Sequence, residues 1–235
     1  REIGCRMPDS VMLFAAGLGT RMAPLTDSLP KPLIEVGGLP LIDHALRQIE
    51  DAKVAQIVVN LHYKAEMIRA HLAHRRNVTF SDESAELLET GGGLKAALPL
   101  LTGRAVYTMN TDAVWSGSNP LTELGDAWDP AKMDALLLLS RREDAVGYDG
   151  AGDFDLGPDG SLARRGPYVY TGVQILDRKR LGRIGERAFS LNRVWDQIAD
   201  EGRLFGVCNK GGFCDVGRPD GIALAEAHMR NSGHV

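Results

Sequence analysis

VMLFAAGLGTRMAPLTDSLPKPL, residues 11–33, is the stretch from which the rest of the chain can be read. It opens on an apolar run, breaks into Gly17-Leu18-Gly19, and then sets fixed positive charges at Arg21 and at Lys31, the latter between Pro30 and Pro32. An apolar strand leaving into a glycine-rich turn is the start of an α/β unit, and ligands of open α/β sheets sit beyond the carboxyl ends of the strands. Glycines there let backbone N–H groups approach a phosphate with no Cβ in the way. Two named patterns fail: Met22 stands where a G-x-G-x-x-G fingerprint needs glycine, and no Gly-Lys-Ser/Thr follows for a P-loop. A plain strand-to-helix turn has the same composition, so the glycines alone do not decide. The charges add to them. Arg21 can fork onto phosphate oxygens, and Lys31, expected in an extended backbone between its prolines, offers a compact cation of little local freedom. Together they suit a polyphosphate.

Outward from that stretch, short apolar runs alternate with helical patterns: QIVVNL (56–61), VTF (78–80), AVYTMN (105–110) and DALLLLS (134–140). Between the first strand and QIVVNL, the segment PLIDHALRQIEDA puts Leu41, Ile42, Ala45, Leu46 and Ile49 on one helical face. Continuous rather than alternating apolar strands imply burial on both faces. The expected fold is therefore α/β, a three-layer α/β/α Rossmann-like arrangement around a mainly parallel mixed sheet. From 144 to 166 the rhythm gives way to glycine and aspartate, and Pro158-Asp159-Gly160 reads as the turn of an inserted antiparallel hairpin flap. PYVYTGVQIL and RLFGVCN then read as strands, NRVWDQIADEG as part of a helix, and a last helix starts near Pro219, where proline loses no hydrogen bond. No internal repeat appears, and no hexapeptide run of the β-helix kind, so one domain over 1–235 is expected.

Composition bounds the function. With 44% hydrophobic and 25% charged residues the chain is that of an ordinary globular protein. The net charge is −4 and the basic residues are scattered in pairs, which argues against a nucleic-acid partner. No eighteen-residue apolar run or signal-peptide core is present, so neither membrane nor export is expected. Cys5, Cys208 and Cys214 are odd in number and lack C-x-x-C spacing, which fits a reducing, cytoplasmic setting better than disulfides or structural zinc. His71 and His74 stand at i, i+3 but with no acidic or cysteine partner spaced near them, and are expected on the surface. Trp115, Trp128 and Trp195 are expected in the core or at its rim, Trp115 alone lying near a candidate site.

FAAGLGTRMAPLTDSLPKPL resembles the signature of the sugar-1-phosphate nucleotidyltransferases, L-A-A-G-x-G-T-R-M-x-P-L-T-x-x-x-P-K-P-L, with Phe14 for the usual Leu. The resemblance runs on through GGLPLIDHALRQIEDAKVAQIVVNLHY, LLETGGGLKAALPLL, MNTDAVW, YTGVQIL and CDVGRPDGIALAEA. These are similar, in that order, to segments of the single-domain N-acetylmuramate-1-phosphate uridylyltransferases of bacterial cell-wall recycling. The resemblance implies a single nucleotidyltransferase domain that takes a nucleoside triphosphate, UTP above all, and a sugar 1-phosphate, with Mg²⁺ as cofactor.

By that resemblance Ala15, Ala16, Gly17, Gly19, Thr20 and Arg21 bind the nucleotide, with Arg21 and Lys31 in catalytic roles at the phosphates. Asp112, after the AVYTMN strand, and Asp215, after GGFC, fall at the family's metal ligands; taken alone, either aspartate reads more commonly as a turn or cap residue. Magnesium bound to phosphates needs only one or two protein carboxylates. Thr90, Gly91 and Gly92 of ETGGG fall where the family touches the base, although from composition a flexible loop before a helix is the plainer reading. Lys31, Asn110, Gly152, Thr171 and Gly172 are the candidates for the sugar phosphate.

Two departures stand out. Thr111 replaces the glycine of the usual Asn-Gly-Asp, and the Glu-Lys-Pro segment of larger relatives is missing, leaving Arg164 and Arg165 nearby without an assigned role. Two other readings stay open: a mannose- or heptose-1-phosphate guanylyltransferase, and a regulatory subunit that binds nucleotide sugars without turnover. Monomer and homodimer are both compatible with the sequence.

Overall fold

The fold follows from strands that are apolar on both sides. In a computed structural model, which describes residues 7–232, β1 (Ser10–Phe14) turns Val11 and Leu13 into one hydrophobic cluster and Met12 into another on the opposite face. Cys5 and the N-terminal decapeptide's first six positions lie outside the described residues. Two minimal strands, β2 (Glu35–Val36) and β3 (Leu39–Pro40), pair with each other before helix α1 (Leu41–Asp51). Then come β4 (Gln56–Leu61), α2 (Ala65–Leu72), β5 (Val78–Asp82), α3 (Glu89–Ala97) and β6 (Ala105–Asn110). β1 lies between β4 and β6, parallel to both, with Val11 opposite Ile57 and Tyr107, and β5 extends the parallel half beyond β4. Helices α1 and α2 pack on the Val11 and Leu13 face and α3 on the Met12 face, giving three layers. Each fully buried Leu or Ile contributes about 1.5–3 kcal/mol, so strands buried on both faces dominate the stability.

The second half is mixed. β7 (Ala113–Ser116) and α4 (Pro120–Ala127) precede β8 (Ala135–Arg141), and β9 (Ala145–Val146) leads to the hairpin β10 (Phe154–Leu156) and β11 (Leu162–Arg164). β12 (Tyr168–Asp177) runs antiparallel to both β6 and β8. After α5 (Leu191–Asp200), β13 (Leu204–Cys208) pairs parallel to β8, and among the described residues the main sheet has nine strands. β14 (Gly212–Asp215) joins β7 and β9 in a separate three-stranded sheet, and α6 (Asp220–Asn231) follows it.

The hairpin turns where Pro158-Asp159-Gly160 predicts, but residues 144–166 are not one flap. β9 belongs to the small sheet, whereas β10 and β11 extend the edge of the main one. Asp134 anchors this half: its carboxylate receives Arg180 Nε at 2.6 Å and Arg203 Nε at 3.0 Å, tying β8 to the turns before α5 and before β13. Burial pushes that carboxyl up, but the two guanidiniums outweigh it and hold it at about 2.

Cys208 and Cys214 are both free. His71 meets Asp43 of α1 at 2.6 Å, an acidic partner that local spacing does not show. Among the described residues no helix is long and apolar enough to cross a membrane.

Candidate active site

β1 ends at Phe14, and the chain leaves the sheet through the glycine-rich turn. The Ala15 N–H donates to Asn60 Oδ1 at 2.8 Å, and Asn60 Nδ2 donates in turn to Glu83 Oε1 at 2.9 Å. Glu83 also accepts the Leu88 N–H at 3.3 Å, so the ends of β1, β4 and β5 are laced to the start of α3. Burial pushes the Glu83 carboxyl up, and the Asn60 and Leu88 hydrogen bonds oppose it.

Gly19 takes a left-handed φ of +65°, and a Cβ there would lie 2.9 Å from Thr26 Cγ2 and 3.0 Å from Lys31 Cβ. Only glycine satisfies both demands. Around Gly17 a Cβ would meet nothing within 4 Å. Among the described residues no hydrogen bond engages the amides of Ala16, Gly17, Leu18 or Gly19, which leaves a row of N–H donors for an anion.

Lys31 departs from the expected extended backbone. Pro30 is extended (φ −66°, ψ 143°), but Lys31–Leu33 forms one 3₁₀ turn, closed by bonds from Leu33 N to Pro30 O (2.9 Å) and Ile34 N to Lys31 O (3.0 Å). Pro32 fits because the first residues of such a turn need no N–H donor. The turn aims Lys31 Nζ at Asp112 Oδ2, 2.9 Å away, with the lysine side chain only 13% exposed.

Asp112 and Asp215 come together through the small sheet. Asp215 stands opposite Ala113 in the β7–β14 register, and Val216 N–H donates to the Asp112 carbonyl at 2.8 Å. Burial and then the Asp112 charge push the Asp215 carboxyl up to about 6, against the pull of Lys31 and Arg21. A Cβ on Gly217 would lie 3.1 Å from Asp215 Oδ1 and 3.4 Å from Arg21 Nη1, so acid and arginine look onto one point. Two converging hard oxygen donors that repel each other fit a divalent cation shared with phosphates. No cluster of three or more His, Cys, Asp or Glu side chains exists among the described residues, so a protein-only metal cage is not present.

A cleft of about 330 Å³ is lined by Ala15, Ala16, Gly17, Gly19, Thr20, Arg21, Lys31, Thr90, Asn110 and Asp112, whereas Asp215 does not line it and stands beside the lining residue Gly217. A second chamber of about 970 Å³ includes Gly152 and shares Phe14, Thr90 and Asn110 with the first, so the two form one groove.

Four expected contacts are arranged otherwise. Gly91 and Gly92 are buried in the first turn of α3, not in a loop before it, and their N–H groups donate to the Phe189 carbonyl at 2.8 and 3.0 Å. They are glycines because residues 187–189 pack against them: a Cβ on Gly91 would be 2.8 Å from Phe189 O, and one on Gly92 would strike the Arg187 carbonyl. Thr171 is 3% exposed and its hydroxyl donates to the Leu138 carbonyl at 2.8 Å, inside the sheet. Gly172 (φ +84°) leaves room for Asn110, whose Nδ2 would sit 2.8 Å from a Cβ there; it seats a groove residue without lining the groove.

Thr111, the departure beside Asp112, turns inward and donates to the Phe14 carbonyl at 2.8 Å, tying the β6 end to the β1 end. Sequence reasoning missed Asn60, Glu83, Glu89, Asp153, Tyr170 and Trp195 as groove residues. Trp195, not Trp115, faces the larger chamber, while Trp115 packs on Phe213 at 5.0 Å. The polar residues Asn60 and Glu83 at the ends of apolar strands were the available signal.

A loop of free backbone amides at a strand end, with Arg21, Lys31 and Asp112 lining one cleft and Asp215 beside it, is the arrangement expected of a transferase that works on nucleotide phosphates. The chain belongs to the family of MobA-like NTP transferase domains, whose model matches residues 11–153. It is 38% identical over 94% of its length to an N-acetylmuramate alpha-1-phosphate uridylyltransferase of Caulobacter vibrioides, covering 97% of that protein. A mannose-1-phosphate guanyltransferase of Yarrowia lipolytica is 28% identical over 88% of the chain, which spans 60% of that longer protein. The crystal structure of HddC from Yersinia pseudotuberculosis complexed with GMP-PN superposes with a TM-score of 0.77 at 24% identity, over 94% of this chain and 99% of that one, a likeness of fold. The protein is a sugar-1-phosphate nucleotidyltransferase.

Proposed function

We propose that the enzyme joins UTP to N-acetylmuramate 1-phosphate, forming UDP-N-acetylmuramate and pyrophosphate in the recycling of cell-wall sugar. The observation that carries the chemistry is that Arg21, Lys31 and Asp112 line one end of a two-chambered groove, with Asp215 beside them next to the lining residue Gly217. The 38% identity to a uridylyltransferase supports the choice of partners. A phosphate oxygen of the sugar 1-phosphate attacks the α-phosphorus of the triphosphate. The bond from that phosphorus to the bridging oxygen breaks, and its electron pair leaves with pyrophosphate. The attacking oxygen is already ionised at neutral pH, so no general base is needed and positioning with charge neutralisation does the work.

The free amides of Ala16 to Gly19 receive the triphosphate, Arg21 meets the leaving pyrophosphate, and Lys31 exchanges its Asp112 partner for the reacting phosphates. Asp112 and Asp215 are the residues that would hold Mg²⁺, which supplies a positive charge across the phosphate oxygens when bound. Thr90 and Asn110, at the junction of the chambers, lie where the nucleotide and sugar phosphates meet.

A guanylyltransferase is the second reading. Glu83 and Glu89 line the nucleotide cleft, and carboxylates suit the paired N–H donors of guanine. Pyrophosphate release from four triphosphates against N-acetylmuramate, N-acetylglucosamine and mannose 1-phosphates, with and without magnesium, tests both. The expected result is release with UTP and N-acetylmuramate 1-phosphate, dependent on magnesium and reduced roughly a hundred- to a thousandfold in Lys31→Ala. Release only with GTP would replace the first reading by the second, and near-normal turnover of Lys31→Ala would remove Lys31 from the mechanism.

A further inference from the structure

Two arginines line the larger chamber, and they are in opposite states. Arg164 is held on several sides: its Nη2 donates to Asn192 Oδ1 at 2.8 Å, its Nε lies 3.2 Å from Asp196 Oδ1, and its guanidinium stands 4.9 Å from the Phe154 ring centroid and 5.8 Å from that of Trp195. Arg165 is the reverse. It lines the chamber with an exposed side chain, and among the described residues it makes no side-chain hydrogen bond, ion pair or ring contact. Of the chamber's acids, Asp196 is taken by Arg164, and Asp153 Oδ2 accepts the Tyr170 N–H at 2.9 Å.

The backbone at Arg165 is itself strained. Its φ is +67°, a left-handed conformation that L side chains rarely adopt, fixed by a bond from Arg165 N to Asp153 O at 2.9 Å. Glycine would relieve that strain, so the presence of arginine calls for a use of its side chain. An unpartnered guanidinium in a polar chamber is a fork-shaped site for a carboxylate.

We infer that Arg165 is the specificity-determining residue of the sugar chamber and receives the carboxylate of the substrate's lactyl ether arm. This rests on the functional reading above, since N-acetylmuramate differs from N-acetylglucosamine only by that acidic arm. Hexose 1-phosphates whose sugar carries no carboxylate leave Arg165 without a partner, so the residue selects by the charge on the sugar, in the chamber that Arg21 and Lys31 do not line. An interaction of that kind is felt first in KM.

The test compares kcat/KM for N-acetylmuramate 1-phosphate and N-acetylglucosamine 1-phosphate, with UTP, in the parent enzyme, Arg165→Gln and Arg165→Gly. Loss of one charge-assisted contact should lower the preference for the acidic sugar by roughly ten- to a hundredfold, chiefly through KM. Arg165→Gly relieves the left-handed strain and should melt no lower than the parent, so a lost preference in that variant is not a folding defect. A parent that turns over N-acetylmuramate 1-phosphate while both variants keep its preference would overturn the role of Arg165 alone. A parent that does not turn over that sugar phosphate overturns the functional reading, and this inference with it.

Discussion

At the scale of single residues, the two glycines of the opening loop have different jobs. Gly19 is needed by the fold: its φ of +65° and its contacts with Thr26 and Lys31 exclude a side chain. Gly17 borders open space, and its value lies in what can approach it. Gly19→Ala should therefore lower stability by about 1–2 kcal/mol through the left-handed penalty alone, with more from the Thr26 contact. Gly17→Ala should unfold like the parent yet raise the KM for the nucleotide. Urea unfolding beside steady-state kinetics separates the two, and equal stability losses would refute the distinction. Sequence alone treats these glycines alike, because the difference depends on Thr26 and Lys31 folding back over the loop.

At the scale of elements, legibility tracks how local the cause is. β4 and β6 coincide with the runs QIVVNL and AVYTMN, since a strand buried on both faces writes its whole length in apolar residues. The triple glycine of α3 misleads for the opposite reason. Glycine disfavours helix, yet Gly91 and Gly92 begin one because residues 187–189, nearly a hundred positions later, press against it.

The groove shows the same division. The residues from Ala15 to Arg21 and Lys31 that line one end of it belong to a contiguous motif, while Asn60, Glu83 and Trp195 enter it through pairings that no spacing announces. Gly92→Ala should destabilise the protein by about 1–3 kcal/mol by overpacking against the Arg187 backbone, which has little room to retreat. A thermal melt unchanged by that substitution would contradict the packing argument.

At the scale of the whole molecule, acid sensitivity should follow Asp134. Its carboxyl titrates at about 2, below the ordinary 3.8, so its contribution to stability is complete above pH 4 and is lost as pH falls towards 2. Asp134→Asn should flatten that acid limb. At pH 7 it should cost about 3–5 kcal/mol, because Arg180 stays buried with one partner fewer. Urea unfolding of both proteins from pH 7 to pH 2.5 checks this, and parallel curves would show that the acid limb arises elsewhere.

The bond from Ala15 to Asn60 divides the signature loop at a single peptide unit. Up to Ala15 the main chain is still masonry, mortared into the neighbouring strand by a carboxamide that Glu83 keeps from turning. From Ala16 to Gly19 it is an open hand, its amide protons unspent before Met22 and Ala23 close the chain into the next turn.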